Sequence, residues 1–171
     1  NPSKPSMQVS IETLNQMGQD DFVGVLGSIF EETPSIAEQV WCERPFADVF
    51  DLHRKMVGIV EHLSLSKQIE LINAHPELGS QSKMADASVQ EQASVGFDQI
   101  SQQLYERIKG LNQTYRQKFG LTFVMAIKGQ TRGRVLADFE KRLNNSKDDE
   151  IKTALSEIAK IARFRLCDLV N

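Results

Sequence analysis

Apolar residues recur along this chain at intervals of three and four positions, which is the spacing of helices that bury one face. The clearest run follows Asp20-Asp21, two acidic residues that suit the positive end of a helix dipole. It contains Phe22, Val25, Leu26, Ile29 and Phe30. This pattern predicts an amphipathic helix in the first part of the chain.

Similar patterns predict helices over most of the remaining sequence. Ser35 with Glu38 is typical of a capping box that opens a short helix. A long helix is predicted from Ser88 to Phe119, with Gly120 as its C-cap. Other apolar stripes comprise Phe46, Phe50, His53, Val57, Val60 and Leu63, then Leu65, Ile69 and Ile72, and then Val135, Leu136, Phe139 and Leu143. The last stripe, which follows a Ser146–Asp149 cap, comprises Ile151, Leu155, Ile158, Ala162, Arg165 and Leu169.

One stretch departs from the helical pattern. Residues 121–127 are mostly apolar and end near Gly129, and periodicity alone does not separate a strand from a buried irregular segment. Because one isolated strand cannot form a sheet, we expect an extended, buried segment here. The whole pattern predicts a single compact all-α domain of about eight helices over residues 10–171, after a flexible polar tail over residues 1–9.

The composition narrows the class of protein. A chain of 171 residues is long enough for one domain with its own core. The formal net charge of −3 argues against nucleic acid or an anionic membrane as a partner. No stretch approaches the ~18 apolar residues of a membrane span, and the ends resemble neither a signal peptide nor a peroxisomal address. We therefore expect a cytoplasmic protein.

The spacing of cysteines and histidines does not indicate a metal site. Cys42 and Cys167 lie far apart without a CxxC pattern, so we expect two reduced, buried thiols. The histidines, His53, His62 and His75, match no HExxH spacing. We expect His53 to be a hydrogen-bonded core residue and His62 to be a solvated residue near a helix end.

His75 occupies a more informative position, in the break between two predicted helices. Pro76 fixes the backbone directly after it, because a residue before proline is pushed out of the helical region. Rigid connections of this kind often carry catalytic side chains. A histidine here could equally cap the carbonyl groups of the preceding helix. The residues alone leave both interpretations open.

A second polar group follows at Ser88, Glu91 and Gln92. Ser-x-x-Glu at a predicted helix start is the capping box, and the pattern taken alone favours that structural role. A helix N-terminus also offers free N–H groups to an anion, so a binding role stays open. Gln92 has no capping role that would account for it.

Arg165 stands where the last stripe predicts an aliphatic side chain. A guanidinium on a buried face is costly unless a carboxylate pairs with it. The alternative is an arginine whose stem packs while its head reaches solvent. Arg163 is about 200° away on an ideal helical wheel and should face outward.

Five short motifs together resemble one known family. They are Arg44-Pro45-Phe46, His75-Pro76-Glu77-Leu78-Gly79, Ser88-x-x-Glu91-Gln92, Phe119-Gly120-Leu121-Thr122-Phe123-Val124 and Arg165-Leu166. Their order and spacing resemble the 2-oxo-4-hydroxy-4-carboxy-5-ureidoimidazoline (OHCU) decarboxylases of urate degradation, from about Ser10 to Leu169. Each motif is weak alone, and the specificity comes from their combination.

The resemblance implies an all-α fold and a set of site residues. His75, Glu91 and Arg165 would be catalytic, with Arg163 as the alternative position for the late arginine. The substrate-binding positions would be Pro76, Ser88, Gln92, Phe123, Val124, Met125, Ala126 and Ile127, the last five through their backbone. No metal ligand is implied.

The resemblance also implies a reaction and partners. The family takes the unstable product of hydroxyisourate hydrolysis and removes CO2 to give (S)-allantoin, without metal or organic cofactor. Its members are usually homodimers, and a functional association with hydroxyisourate hydrolase or urate oxidase is expected. Two alternatives remain, a non-enzymatic helical interaction module and a catalytically silent homologue. If the side chains of His75, Glu91 and Arg165 lay farther apart than the length of a small ligand, the non-enzymatic interaction module would be favoured.

Overall fold

The computed structural model is built from helices and describes residues 8–80 and 86–171, with Asp86 described by its backbone alone. Nine helices lie in these ranges, against about eight predicted, and the all-α prediction is confirmed. They are α1 Ile11–Gln16, α2 Gln19–Leu26, α3 Ser35–Trp41, α4 Val49–His62, α5 Leu65–Asn73, α6 Asp86–Ser94, α7 Gln102–Phe119, α8 Arg132–Arg142 and α9 Lys147–Leu169.

Helix α9 is the longest of these helices and packs against α4, α5 and α7. Helix α3 lies against both α2 and α4. The buried face of α9 includes Ile151, Ile158, Ala162 and Leu166. The predicted stripe is therefore a true core face, and Arg165 enters the interior with it.

The two ends of the described chain meet. The Val9 N–H donates to the Leu169 carbonyl at 2.9 Å, and the Asn171 N–H donates to the Val9 carbonyl at 3.0 Å. Most of the tail predicted over residues 1–9 lies outside the described residues. The pairing of Val9 with Val170 places the start of α1 beside the end of α9.

Side-chain caps begin most of the helices. A hydrogen bond from the N–H three residues later is accepted by Ser10, Asp48, Ser64, Ser101, Thr131 and Ser146. The predicted cap at Ser146 is confirmed, and so is Gly120, which ends α7 in the left-handed conformation at a φ of 66°. The capping box predicted at Ser35 is wrong, because Pro34 is the cap residue and makes no side-chain cap bond.

The single long helix predicted from Ser88 to Phe119 is wrong. The structure has two helices, α6 and α7, with a break between them. Gly96 in this break takes a φ of 82°, through which a right-handed helix cannot continue, and Ser101 then caps α7. The break lets the side chains of Val95 and Phe97 enter the core.

Helix α4 buries a face that only partly overlaps the predicted stripe, because Val60 alone belongs to both. Its buried residues are Leu52, Met56 and Val60, whereas Phe50 is 57% exposed. The predicted stripe started at Phe46, which is buried but lies before the Asp48 cap, outside the helix. Extending the pattern across that cap gave the helix the wrong phase.

Two further features differ from the predictions. Helix α1 was not predicted, because six residues are too few to show a helical period. Cys42 and Cys167 are free and exposed, so the prediction of buried thiols is wrong. Cys42 follows the last turn of α3, and Cys167 lies beside the buried face of α9 instead of on it.

Residues 121–127 form the expected buried segment without helix or strand. Such a segment must find partners for its backbone outside any regular ladder. Asn73 Oδ1 accepts a hydrogen bond from the Thr122 N–H at 2.9 Å, at the start of the segment. Arg142 Nη1 donates to the Val124 carbonyl at 2.7 Å, near its middle.

Arg142 is itself held by Glu150, whose surface is 0% exposed. Glu150 Oε1 accepts hydrogen bonds from Arg142 Nε at 2.8 Å and from the Tyr115 hydroxyl at 2.6 Å. Asn145 donates to Oε2 at 2.9 Å. Burial, and then the hydrogen bond to Glu150, raise the pKa of Tyr115, so its hydroxyl stays a donor. A buried carboxylate with these partners provides a rigid anchor for the 121–127 segment.

We expect Glu150→Ala to lower the free energy of unfolding by about 3–5 kcal/mol, because it leaves the buried Arg142 charge uncompensated. As a matched control, Glu140→Ala removes the carboxylate of an exposed ion pair with Arg107 and should cost at most about 1 kcal/mol. Urea unfolding followed by circular dichroism measures both variants. Equally small losses would show that Glu150 does not anchor this part of the fold.

Candidate functional site

A cavity lies where four parts of the chain meet: the loop after α5, helix α6, the 121–127 segment and helix α9. It is lined by His75, Pro76, Leu78, Ser88, Glu91, Gln92, Phe123, Val124, Met125, Ile127, Ile161 and Arg165. All site residues predicted from the sequence except Ala126 are in this lining. His75, Glu91 and Arg165 therefore share one cavity, although they are far apart in the sequence.

His75 both caps α5 and lines the cavity, so its capping contact does not exclude the predicted catalytic role. Its Nδ1 lies 2.9 Å from the Leu71 carbonyl oxygen. Because a carbonyl only accepts, Nδ1 carries the proton, and in the neutral ring Nε2 is the nitrogen that can accept one. Burial lowers the pKa of His75 to about 4, against the opposing effects of the Leu71 hydrogen bond and the charge of Glu31. The imidazole is therefore neutral near pH 7.

Arg165 is buried, and its guanidinium binds carboxylates. Such a pairing was predicted from the position of a charged residue on an apolar stripe. Its Nε and Nη2 donate to the two oxygens of Glu91 at 3.0 and 2.9 Å, a bidentate pair. Nη2 also contacts Glu31 Oε1 at 3.1 Å, and Nη1 donates to the Ile29 carbonyl at 3.2 Å. Burial alone would lower the pKa of Arg165, but the hydrogen bond and charge of Glu91, together with Glu31, raise it.

Burial favours Arg165 over Arg163 as the late arginine of the site. Arg163 is exposed and places its guanidinium carbon 5.8 Å from the centre of the Phe50 ring. Arg165 is 7% exposed and faces the cavity. The interpretation of Arg165 as a packed stem with a solvated head is wrong, because the charged head is buried with the rest.

Glu31 is one of the side chains hydrogen-bonded to Arg165, and it was not predicted as a site residue. It lies between α2 and α3, and only 3% of its surface is exposed. It accepts hydrogen bonds from the Ser88 hydroxyl and from Arg165. In the sequence, the pair Glu31-Glu32 precedes Thr33-Pro34 and has the composition of an exposed turn. The one local signal is that Glu31 directly follows an apolar stripe.

Ser88 joins the charged groups of the site. Its hydroxyl donates to Glu31, and its oxygen accepts from Arg165 Nη2 at 2.9 Å. Ser88 is the third residue of α6, so the capping box predicted for Ser88 with Glu91 is wrong. The side chains that a helix cap would have used locally are instead engaged with distant partners.

Gln92 has a structural contact in addition to its place in the cavity wall. Its Oε1 accepts from the Gly79 N–H at 2.9 Å, and its Nε2 donates to the Glu77 carbonyl at 3.2 Å. Gly79 takes a φ of 70°, which favours glycine and turns its N–H toward Gln92. Gln92 therefore ties α6 to the loop that carries His75.

The 121–127 segment contributes Phe123, Val124, Met125 and Ile127 to the cavity lining. Ala126 is outside this lining, and its N–H donates to Glu157 Oε1 at 3.2 Å on the α9 side, so a role for Ala126 in substrate binding stays a prediction. The Val124 carbonyl is already bound by Arg142, and the Ile127 carbonyl accepts from the Gln130 N–H at 2.9 Å. These backbone groups already have protein partners.

The other histidines have local structural contacts. His53 is half-buried and its Nε2 lies 2.7 Å from the Ala159 carbonyl, while exposed His62 places Nδ1 2.7 Å from the Gly58 carbonyl. Within the described ranges, no three His, Cys, Asp or Glu side chains form a group suited to a metal ion. No helix in the described part of the chain is long and apolar enough to cross a membrane.

The fold and cavity together define an all-α protein with a buried site for a small polar molecule. One side of the cavity is lined by a neutral imidazole, a carboxylate and a guanidinium, and the Glu31 carboxylate binds that guanidinium without lining the cavity. The other walls are apolar, from Leu78, Phe123 and Ile161 among others. A concave apolar pocket with a few convergent polar groups is the usual form of a small-molecule site.

Comparison with known proteins identifies the family. The family profile described as OHCU decarboxylase matches residues 15–167. The chain is 40% identical to the 2-oxo-4-hydroxy-4-carboxy-5-ureidoimidazoline decarboxylase of Halalkalicoccus jeotgali, over 95% of this chain and 92% of that protein. It is 42% identical to the uric acid degradation bifunctional protein PucL of Bacillus subtilis, over 95% of this chain and 33% of that protein. The chain belongs to the OHCU decarboxylase family.

Two solved structures share the fold. A crystal structure of (S)-allantoin synthase matches with a TM-score of 0.77 and 24% identity, over 95% of this chain and 54% of that chain. A crystal structure of OHCU decarboxylase in the presence of (S)-allantoin matches with a TM-score of 0.69 and 22% identity, over 88% of this chain and 96% of that chain. The chain thus spans about half of the synthase and about a third of the bifunctional protein.

The lowered pKa of His75 predicts acid sensitivity. Between about pH 6.5 and about pH 4 the unfolded chain binds a proton on His75 and the folded protein does not, so stability should fall as pH drops through this window. The expected loss is roughly 3 kcal/mol. Urea unfolding across this range, compared with His75→Asn, measures it. A His75 ring that titrates near its ordinary pKa in an NMR experiment, with no difference between the two proteins, would contradict this account.

Proposed function

We propose that this chain removes CO2 from OHCU to give (S)-allantoin, as a carboxy-lyase of urate degradation that needs no metal or organic cofactor. One structural observation carries the proposal: His75, Glu91 and Arg165 meet in a single buried cavity. Membership of the OHCU decarboxylase family supports the choice of substrate. The neutral imidazole, guanidinium and apolar walls match what this reaction requires.

The reaction requires the protein to control protons and to deliver one of them to a single face of the substrate ring. The carbon that loses CO2 bears a ring nitrogen and a hydroxyl, and the electron pair left behind passes into the adjacent C=N system of the ring. No external electron acceptor is therefore needed. The site must control protons and deliver one of them to a single face of the ring, so that (S)-allantoin forms. We assign this proton transfer to Nε2 of His75, the ring nitrogen that does not bond Leu71.

Arg165 and Glu91 provide the fixed charges of the proposed site. Their bidentate pairing sets the orientation of both groups in the cavity wall. We propose that the positive charge of Arg165 stabilises the carboxylate or a developing oxyanion of the substrate. Glu91 would hold a ureido N–H or orient His75, and Gln92 and Ser88 would complete the polar side of the site.

The apolar walls favour loss of CO2. Leu78, Phe123 and Ile161 give this part of the cavity few groups that can solvate a carboxylate. A substrate carboxylate whose charge faces Arg165 loses hydration against these walls, and its charge disperses as neutral CO2 leaves. We propose that Pro76, Val124, Met125 and Ile127 hold the ring by shape, since the backbone carbonyls of Val124 and Ile127 have protein partners.

We further propose that the chain acts as a homodimer and in functional association with another enzyme of urate degradation, hydroxyisourate hydrolase or urate oxidase. The association is supported by two Bacillus relatives described as uric acid degradation bifunctional proteins, of which this chain matches about one third. A location in the cytoplasm stays a prediction from the sequence.

Replacing His75 tests the proposal directly. On OHCU generated freshly from urate, we expect His75→Asn to fold and to lose about 10²–10⁴-fold in the rate of CO2 release, together with the bias toward (S)-allantoin. His62→Asn is the matched control, because His62 is exposed and bonds only within its own helix. Time-resolved circular dichroism follows the chiral product. Near wild-type turnover by His75→Asn would refute the assignment, and an inactive wild-type protein would indicate a silent homologue.

Two arginines on α9 give a second matched test. We expect Arg165→Met to raise KM for OHCU and to lower the free energy of unfolding by about 3–5 kcal/mol, because it leaves the Glu91 and Glu31 carboxylates without their cation. Arg163→Met should change neither quantity, since Arg163 is exposed. Steady-state kinetics and urea unfolding measure both variants. A stability loss with unchanged kinetics would leave Arg165 as a packing residue only.

A further inference from the structure

The site contains more negative than positive charge. The carboxylates of Glu31 and Glu91 share the single guanidinium of Arg165, at 3.1 and 2.9 Å. His75 adds no charge, because burial keeps it neutral. Among the described residues, no other titratable side chain lines the cavity. The site by itself therefore carries one excess negative charge.

A substrate carboxylate adds a second negative charge to this site. Near buried groups such as Glu31 and Arg165 the effective dielectric constant is lower than in bulk water, so two uncompensated charges of one sign repel more strongly than they would in solvent. The groups that face His75 are Glu91 on α6, Arg165 on α9 and Glu31 between α2 and α3, and the cavity-lining residues of the 121–127 segment are uncharged. An anion that arrives beside them favours the charged form of the imidazole. His75 is thus the group that can restore the balance.

We infer that the substrate anion enters this site together with one proton, which binds to Nε2 of His75, and that Glu31 is a positioning residue that makes this proton necessary. The inference rests on the proposed function. Glu31 does not line the cavity and acts through its contacts with Ser88 and Arg165. Its carboxylate offsets the positive charge of the Arg165 guanidinium, so Arg165 alone does not neutralise the charge of the ligand.

The proton balance of the reaction agrees with this sequence of events. The substrate is an anion and both products are neutral, so each turnover consumes one proton. On binding, that proton passes from solvent to Nε2 of His75. When the C–C bond breaks, CO2 leaves and the electron pair passes into the adjacent C=N bond. The proton then moves from Nε2 to the ring carbon that bears the ureido group, while the hydroxyl becomes the ring carbonyl and its proton passes to the ring nitrogen. Neutral allantoin then leaves, and His75 is neutral again.

Proton uptake has a measurable signature. Above the pKa of about 4 of His75 in the free protein, affinity for an anionic ligand should fall by about tenfold for each unit of pH, until the pKa of the complex is reached. Affinity for a neutral ligand of the same shape should not follow pH in this way. Hydantoin-5-acetate and its amide form such a pair, because they differ in the carboxylate alone.

Titration calorimetry in buffers of different ionisation enthalpy counts the protons. Near about pH 6.5, we expect hydantoin-5-acetate to take up about one proton on binding and its amide to take up none. Glu31→Gln keeps an oxygen for Ser88 and Arg165 but removes the charge, so uptake should approach zero and affinity for the acid near neutral pH should rise about tenfold. Glu32→Gln, an exposed neighbour with the same change of charge, should behave as wild type.

Each outcome decides the matter. No proton uptake with the acid in the wild-type protein overturns the inference, and so does weaker binding of the acid by Glu31→Gln with uptake unchanged. OHCU turnover measured in parallel distinguishes a failure of this inference from a failure of the proposed function. Turnover without proton uptake refutes the proton linkage alone. If the protein neither turns over OHCU nor binds either probe, the proposed function is refuted as well.

Discussion

The site depends on one interaction, the buried guanidinium of Arg165. It lies on α9, the helix that packs against α4, α5 and α7, so it is buried whenever the core forms. An unpaired guanidinium there would be very costly, and its partners come from two other parts of the chain, Ile29 and Glu31 after α2 and Ser88 and Glu91 on α6. Because the buried residues of α6 include Ser88 and Gln92, this helix is positioned largely by polar contacts. Folding of the core thus assembles the polar side of the cavity.

The opposite wall is fixed in a different way. Residues 121–127 have no regular structure, and their backbone is bound by side chains from three helices, including Asn73 on α5 and Arg142 on α8. These bonds give partners to part of the buried backbone, while apolar side chains of the segment line the wall. Burial holds His75 neutral although the charge of Glu31 opposes it, and a neutral imidazole can accept a proton with an anionic substrate and return it to the product.

The sequence predicted the features that depend on local rules. The stripe on α9, the cap at Ser146 and the end of α7 at Gly120 all follow from nearby residues. Arg165 was recognisable because it violates its own stripe. Ser88 was misassigned to a capping box, since a local rule competed with a partner 57 positions away, and Glu31 was missed because its role depends on a contact 134 positions along the chain. Pairing over such distances leaves no local pattern.

The central claim is that the cavity containing His75, Glu91 and Arg165 is the active site. A crystal structure of this protein soaked with (S)-allantoin tests it most directly. The account predicts the ligand in this cavity, with a ring or ureido group within hydrogen-bond distance of His75 Nε2 and with Leu78 and Ile161 against its ring. Allantoin bound instead in the neighbouring groove formed by Lys128, Phe164 and Asp168, with the His75 cavity unchanged, would contradict it.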